Sequence, residues 1–172
     1  WGWFGGAEEG DPVMTAHVAH GLKIASNTVN VPEGMISGAV RWLKNYQERQ
    51  TALLEQGDKF RKLEQLPDGP EKKEALRKLG NYRLTASATD TLVYSVLAEC
   101  GVKNLPMERY LFRDRLELPV ISQIQLAEIL LDAHRMDDFN KIMPVISQFL
   151  QQDDSLQTAW LRLPNAGYWW RW

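Results

Sequence analysis

Thr15-Ala16-His17-Val18-Ala19-His20-Gly21-Leu22-Lys23-Ile24-Ala25 is the stretch whose reading decides the fold, because its pattern recurs twice further along the chain. Laid over residues 90–100 and 123–133, it aligns Val18 with Val93 and Leu126, Leu22 with Leu97 and Leu130, and Ala25 with Cys100 and Ala133. Apolar positions four and then three apart share one face of an α-helix. Each copy is followed by a second helical stretch, so the chain reads as three helix pairs. Such pairs cannot bury their apolar faces alone and must stack, as a solenoid or as a closed ring. The last two copies start 33 residues apart and the first two 75 apart, a difference explained by an insertion of about 40 residues.

Proline marks most helix starts, where its missing amide donor costs nothing. Asp11-Pro12 opens a helix carrying Met14, Val18, Leu22 and Ala25, and Pro32-Glu33 opens one through Ile36, Val40 and Leu43 toward Gln50. A third covers 89–100 and stops at Gly101, a favoured residue just past a helix end. Pro106-Met107-Glu108 begins a short helix, and Pro119 leads into one with Ile124, Ala127, Leu131 and His134. The last is expected over 137–152, with Phe139, Ile142, Ile146 and Phe149 on one face and a kink or late start at Pro144. Strand-like alternation is absent, so the expected β content is near zero. Residues 51–83 read as two charged helical arms around the turn Pro67-Asp68-Gly69-Pro70, an exposed hairpin inserted between core elements. It is either a partner-binding arm or a solvated charged hairpin.

The composition is globular, 44% hydrophobic and 24% charged over 172 residues, consistent with residues 1–172 being one domain or part of one. A net charge of -2 with interspersed signs offers no basic field for phosphates, which argues against a nucleic-acid partner. No apolar run reaches about 18 residues, so no membrane insertion is expected. The single cysteine, Cys100, excludes an internal disulfide framework and a four-cysteine zinc site. Trp1 and Trp3 lie at one extreme, and Trp169, Trp170 and Trp172 at the other. Termini usually carry small polar residues, so this placement suggests a natural chain that continues in both directions.

Trp3-Phe4-Gly5-Gly6, then 11–18 with Thr15-Ala16-His17-Val18, then Gly38-Ala39-Val40-Arg41-Trp42-Leu43 followed by Gln47 and Gln50, resembles the stretch after the thioester in alpha-2-macroglobulins and complement components. There an aromatic-glycine segment precedes a helix reading Thr-Ala-aromatic-Val, and the next helix carries Ala-x-x-Trp-Leu. The helices around 89–100 and 119–134 also fit, and Gly167-Tyr168-Trp169-Trp170-Arg171-Trp172 resembles the aromatic lead-in to a further pair. Only 51–83 is unmatched. The resemblance implies an all-α chain folded as an α/α toroid of six helix pairs, of which this chain would hold a partial ring with a charged hairpin insertion. It further implies an extracytoplasmic parent polypeptide that traps proteases, with the parent's other domains as this segment's partners.

That family's covalent chemistry uses Cys-Gly-Glu-Gln, whose cysteine sulfur and glutamine carbonyl form an internal thioester. Here Cys100 is followed by Gly101, Val102 and Lys103, so there is no acyl partner; the expected role of Cys100 is a small buried residue on a helix-packing face. The histidine that attacks the thioester in some complement relatives is also missing, since no histidine lies between His20 and His134. His17 and His20, three apart, could share a metal, but a third ligand is not evident and packing or surface roles explain them. His134 at a helix end suits the helix dipole. Asp137-Asp138 and Asp153-Asp154 invite comparison with terpenoid cyclases and prenyltransferases, which share the toroid, although capping and solvation account for both pairs. No catalytic, cofactor-binding or metal residue is therefore expected. The remaining candidates are aromatics for an interface or a cavity, or for core packing in an intact ring: Trp1, Trp3, Phe4, Trp169, Trp170 and Trp172. The leading expectation is a non-catalytic structural and interaction module, with a toroid enzyme or a helical-repeat binding scaffold as alternatives. A partial ring would also expose apolar edges and self-associate.

Overall fold

A computed structural model describes residues 1–2, 10–32 and 34–162. Among them 64% are helical, in seven helices, with one two-stranded hairpin. The chain divides into two compact units, Trp1–Asp114 and Arg115–Trp172.

The first unit opens with α1 (Pro12–Ala25), started by Pro12 and by the Asp11 carboxylate, which accepts the Met14 amide at 2.7 Å. Such a cap stabilises a helix by about 1 kcal/mol. Helix α2 (Met35–Glu64) begins after Gly34, whose φ of 95° is a left-handed conformation that glycine adopts without strain. At 30 residues it is about 45 Å long. It starts later than the Pro32-Glu33 signal suggests, and it runs unbroken past Gln50, where the charged insertion was expected to begin. The reason is burial: Thr51, Leu54 and Gly57 continue the stripe of Ala39, Leu43 and Gln47 that faces the core. Only the part beyond them projects as a charged arm, returning through α3 (Pro70–Lys78). Lys72 holds the turn between α2 and α3 by donating to the carbonyls of Glu64 and Leu66 and to Asp68, satisfying carbonyls that the end of α2 leaves open.

Helix α4 (Ala88–Glu99) starts at a reciprocal box in which Ser87 and Asp90 cap each other's amides, and α5 (Leu105–Arg113) starts at Asn104, whose side chain accepts the Met107 amide. Helices α1, α2 and α4 meet around Ala16, Ala19, Ala39, Leu43, Val93, Val96 and Leu97. The alanines let the backbones approach closely, and Met107 and Leu111 of α5 add further fully buried surface. Each buried leucine or methionine contributes about 2 kcal/mol.

The second unit contains α6 (Val120–Asp132), α7 (Met136–Ser147), β1 (Leu150–Asp153) and β2 (Thr158–Leu161). Leu126, Ala127, Ile129 and Leu130 form the buried face of α6, whereas Leu131 and His134, expected on that face, are exposed. Helix α7 passes through Pro144 and ends at Ser147, short of the expected Gln152. Residues beyond it pair instead as an antiparallel ribbon with Leu150 opposite Leu161 and Gln151 opposite Trp160, so the expectation of near-zero β content misses this element. The turn explains why: the Asp153 carboxylate accepts from the amides of Ser155 and Leu156 and from the Ser155 hydroxyl, closing a local loop that competes with helix.

The repeat register holds a feature its apolar positions did not reveal. Thr15, Asp90 and Gln123 occupy the first aligned column, and all three are buried polar side chains. Each ties its own helix to the segment leading into it. Thr15 donates to the Trp1 carbonyl, Asp90 accepts from the Ser87 amide, and Gln123 donates to the Leu118 carbonyl. The aligned Val18 and Leu22 are only half-buried, unlike Val93, Leu97, Leu126 and Leu130, so the first copy packs through Ala16 and Ala19.

Candidate functional site

Beside its buried stripe, α2 carries a second one of Trp42, Tyr46, Arg49 and Leu53, half-buried except for the exposed Arg49. The rings of Trp42 and Tyr46 lie nearly parallel, 7° between planes and 5.9 Å between centroids. With Gly10 and Pro12 these four residues border an open groove of about 720 Å³. Gly10 lies close under its rim, where a β-carbon would stand 3.0 Å from the Trp42 ring and press on it. Burial pushes the Tyr46 hydroxyl up, the nearby Asp90 charge adds to that, and Arg83 and Arg49 oppose it. Among the described residues Arg49 forms no hydrogen bond or ion pair, and its neighbour Glu48 lies 3.9 Å from Lys44 instead.

Behind the groove, a polar network fastens the segment after α3 to the core. The fully buried Asp90 carboxylate receives both terminal nitrogens of Arg83, at 3.1 and 2.7 Å, and Arg83 also donates to Gln50 at 2.6 Å. The Asp90 hydrogen bond holds the Arg83 guanidinium above its ordinary range. A second cluster joins α2 to α5, where Asp58 accepts from the Tyr110 hydroxyl and from Arg113, each at 2.8 Å. Arg113 also pairs with the buried Asp114, which accepts the Ala86 amide at 2.8 Å. Every charge here has an opposite neighbour within the network, an arrangement suited to holding the fold rather than to receiving an anion. Burial first, then the hydrogen bond to Asp58, raises Tyr110 to about 12. Its folded value lies above the free one, so its contribution is complete below about pH 10 and lost as pH rises through about 12. In an alkaline titration followed at the phenolate absorbance, one tyrosine should ionise near pH 12, and Tyr110→Phe should abolish that step. A Tyr110→Phe profile that overlays the parent's would show that another residue carries it.

The other sequence candidates are not brought together. Cys100 is the half-buried residue closing α4 rather than a fully buried packing residue, and it aligns with Ala133, which closes α6 in the same way. Burial pushes its thiol up, with Lys23 opposing and Glu99 reinforcing, so the thiolate is disfavoured. His17 is exposed, while His20 meets Glu99 of α4 at 2.7 Å. Among the described residues no three His, Cys, Asp or Glu side chains are grouped to hold a metal. Asp138 pairs with Arg135 and Lys141, and Asp153 closes the hairpin turn. Trp1 is 41% exposed and its carbonyl accepts from Thr15 and from the Asp11 amide. Trp3, Phe4, Trp169, Trp170 and Trp172 lie outside the described residues. No described helix is long and apolar enough to cross a membrane.

No family model, curated protein or solved structure matches the chain.

Sequence reasoning passed over Arg49, Arg83, Asp58 and Tyr110. Arg83 and Asp58 fall within a stretch read as a solvated insertion, which concealed their partners. Two signals were legible in retrospect: Ser87 three residues before Asp90 is a helix-start pattern, and Asp90 shares its repeat column with the polar Thr15 and Gln123.

Proposed function

We propose that the chain is a non-catalytic structural and interaction module, the helix-pair part of an alpha-2-macroglobulin-like thioester domain in a larger extracytoplasmic, protease-trapping polypeptide. What supports this reading is the placement of the residues that carry the resemblance. Ala16 of the Thr-Ala-x-Val helix packs with Ala39 and Leu43 of the Ala-x-x-Trp-Leu helix in one core, and Trp42 packs against it while covering Gly10 of the lead-in. The motifs thus coincide with the contacts that a repeated helix pair needs. In this reading the helices would belong to an α/α toroid. Cleavage of a bait segment elsewhere in the parent would free the domain to move around a protease, and the chain's own part is to present stacking faces.

The coding sequence on either side of this segment gives the direct test. A Cys-Gly-Glu-Gln upstream, further helix pairs downstream and β-rich domains on both flanks are expected, with methylamine taken up covalently by the full-length parent. A reading frame holding this segment alone would overturn the proposal. The helical-repeat scaffold is the second reading, favoured by the open groove on α2, and a parent made only of further helix pairs would support it.

A further inference from the structure

We propose that the face of α2 formed by Trp42, Tyr46, Arg49 and Leu53 is the seat for one amphipathic α-helix that presents a carboxylate among apolar residues, supplied by a neighbouring helix pair of the same polypeptide. This rests on the reading of the chain as stacking helix pairs. Three observations carry it. The spacing of four, three and four residues is the repeat by which one helix receives the side chains of another. The adjacent buried stripe of α2 is filled by α1, α4 and α5, while this one, with Trp42 and Tyr46 resting on the core along one edge, opens onto the groove. The third is Arg49, midway along the seat and without an ion pair among the described residues.

Arg49 defines the occupant. A purely apolar helix laid on this face would strip water from a guanidinium that has no counter-charge among the described residues, at a cost of several kcal/mol. A carboxylate opposite Arg49 removes that cost and fixes register. A second copy fits worse, because pairing two α2 seats sets Arg49 against its counterpart when parallel and against Tyr46 when antiparallel about their middle, and neither supplies a carboxylate. The seat is finite: two positions further along the same spacing, after Gln56, Phe60 stacks on Tyr82 with centroids 4.4 Å apart, and the face between Trp42 and Leu53 is about 16 Å long.

The test uses the full chain and two synthetic three-heptad peptides with leucine at the a and d positions, one with glutamate and one with lysine at the central a position. Binding is followed by anisotropy of the labelled peptide. The glutamate peptide should bind about ten-fold more tightly than the lysine peptide, and Arg49→Glu should reverse that preference. Because Arg49 is exposed, the variant should keep its helical circular dichroism, which separates a lost seat from a lost fold. The proposal is overturned if neither peptide binds, if the preference survives Arg49→Glu, or if sedimentation shows a dimer through this face that excludes the peptide. Flanking-sequence and methylamine results bear on the parent family and leave this charge reversal unaffected.

Discussion

Gly57→Ala should lower the stability of the Trp1–Asp114 unit by about 3 kcal/mol and its melting midpoint by about 10 °C. A β-carbon at residue 57 would stand 1.9 Å from the Arg83 carbonyl oxygen and 2.9 Å from its carbon. Both neighbours are backbone, so no side chain can swing aside. Relief requires the segment around Arg83 to lift off α2, which also breaks the hydrogen bond from the Arg83 amide to the Leu53 carbonyl. Helix propensity runs the other way, since alanine is favoured over glycine in a helix interior by about 1 kcal/mol. Gly38→Ala isolates that term, because nothing lies within 4 Å of its β-carbon. It should leave stability unchanged or raise it by up to about 1 kcal/mol. Chemical denaturation of the two variants should therefore separate them in sign. A Gly57→Ala protein as stable as the parent would refute the close crossing.

Asp90→Ala is expected to cost about 3 to 4 kcal/mol, because it removes the counter-charge of Arg83 and leaves the Ser87 amide without its acceptor. The side chain of Asp90 is 0% exposed, so water cannot readily replace it. Arg83→Ala leaves the same carboxylate buried beside Ser87 alone and should cost a similar amount. The double variant should cost well under the sum, by about 2 kcal/mol, since neither charge is then stranded. A double-mutant cycle measured by urea unfolding reads this coupling directly. Simple additivity would mean that the two groups act independently despite their contact.

These two sites also mark where the sequence was and was not legible. Proline, Asp11, Ser87 and Asn104 announce helix starts because caps are local, satisfied within three or four residues. The end of α7 was misjudged because Phe149 continues the helical period, while the Asp153 turn that wins lies beyond it. The insertion was misplaced for a related reason. Its charged residues read as solvated, yet Asp58 and Arg83 meet partners on α5 and α4. The seat on α2 was half-visible: Trp42 was noted for its motif, while Arg49 carried no pattern at all.

The sequence by itself determined that this protein is mostly helical, where most of its helices begin, and that one apolar spacing recurs in the stretches starting at Thr15, Asp90 and Gln123. All of that depends on spacing along the chain, which short-range backbone chemistry enforces. Only the tertiary structure decided that α2 runs on through the expected insertion, that Gly57 must stay bare under Arg83, that Asp90 is a buried counter-ion and that Arg49 faces an open groove. Each of these depends on which distant segment arrives at a given face, and a sequence pattern carries no direct record of that.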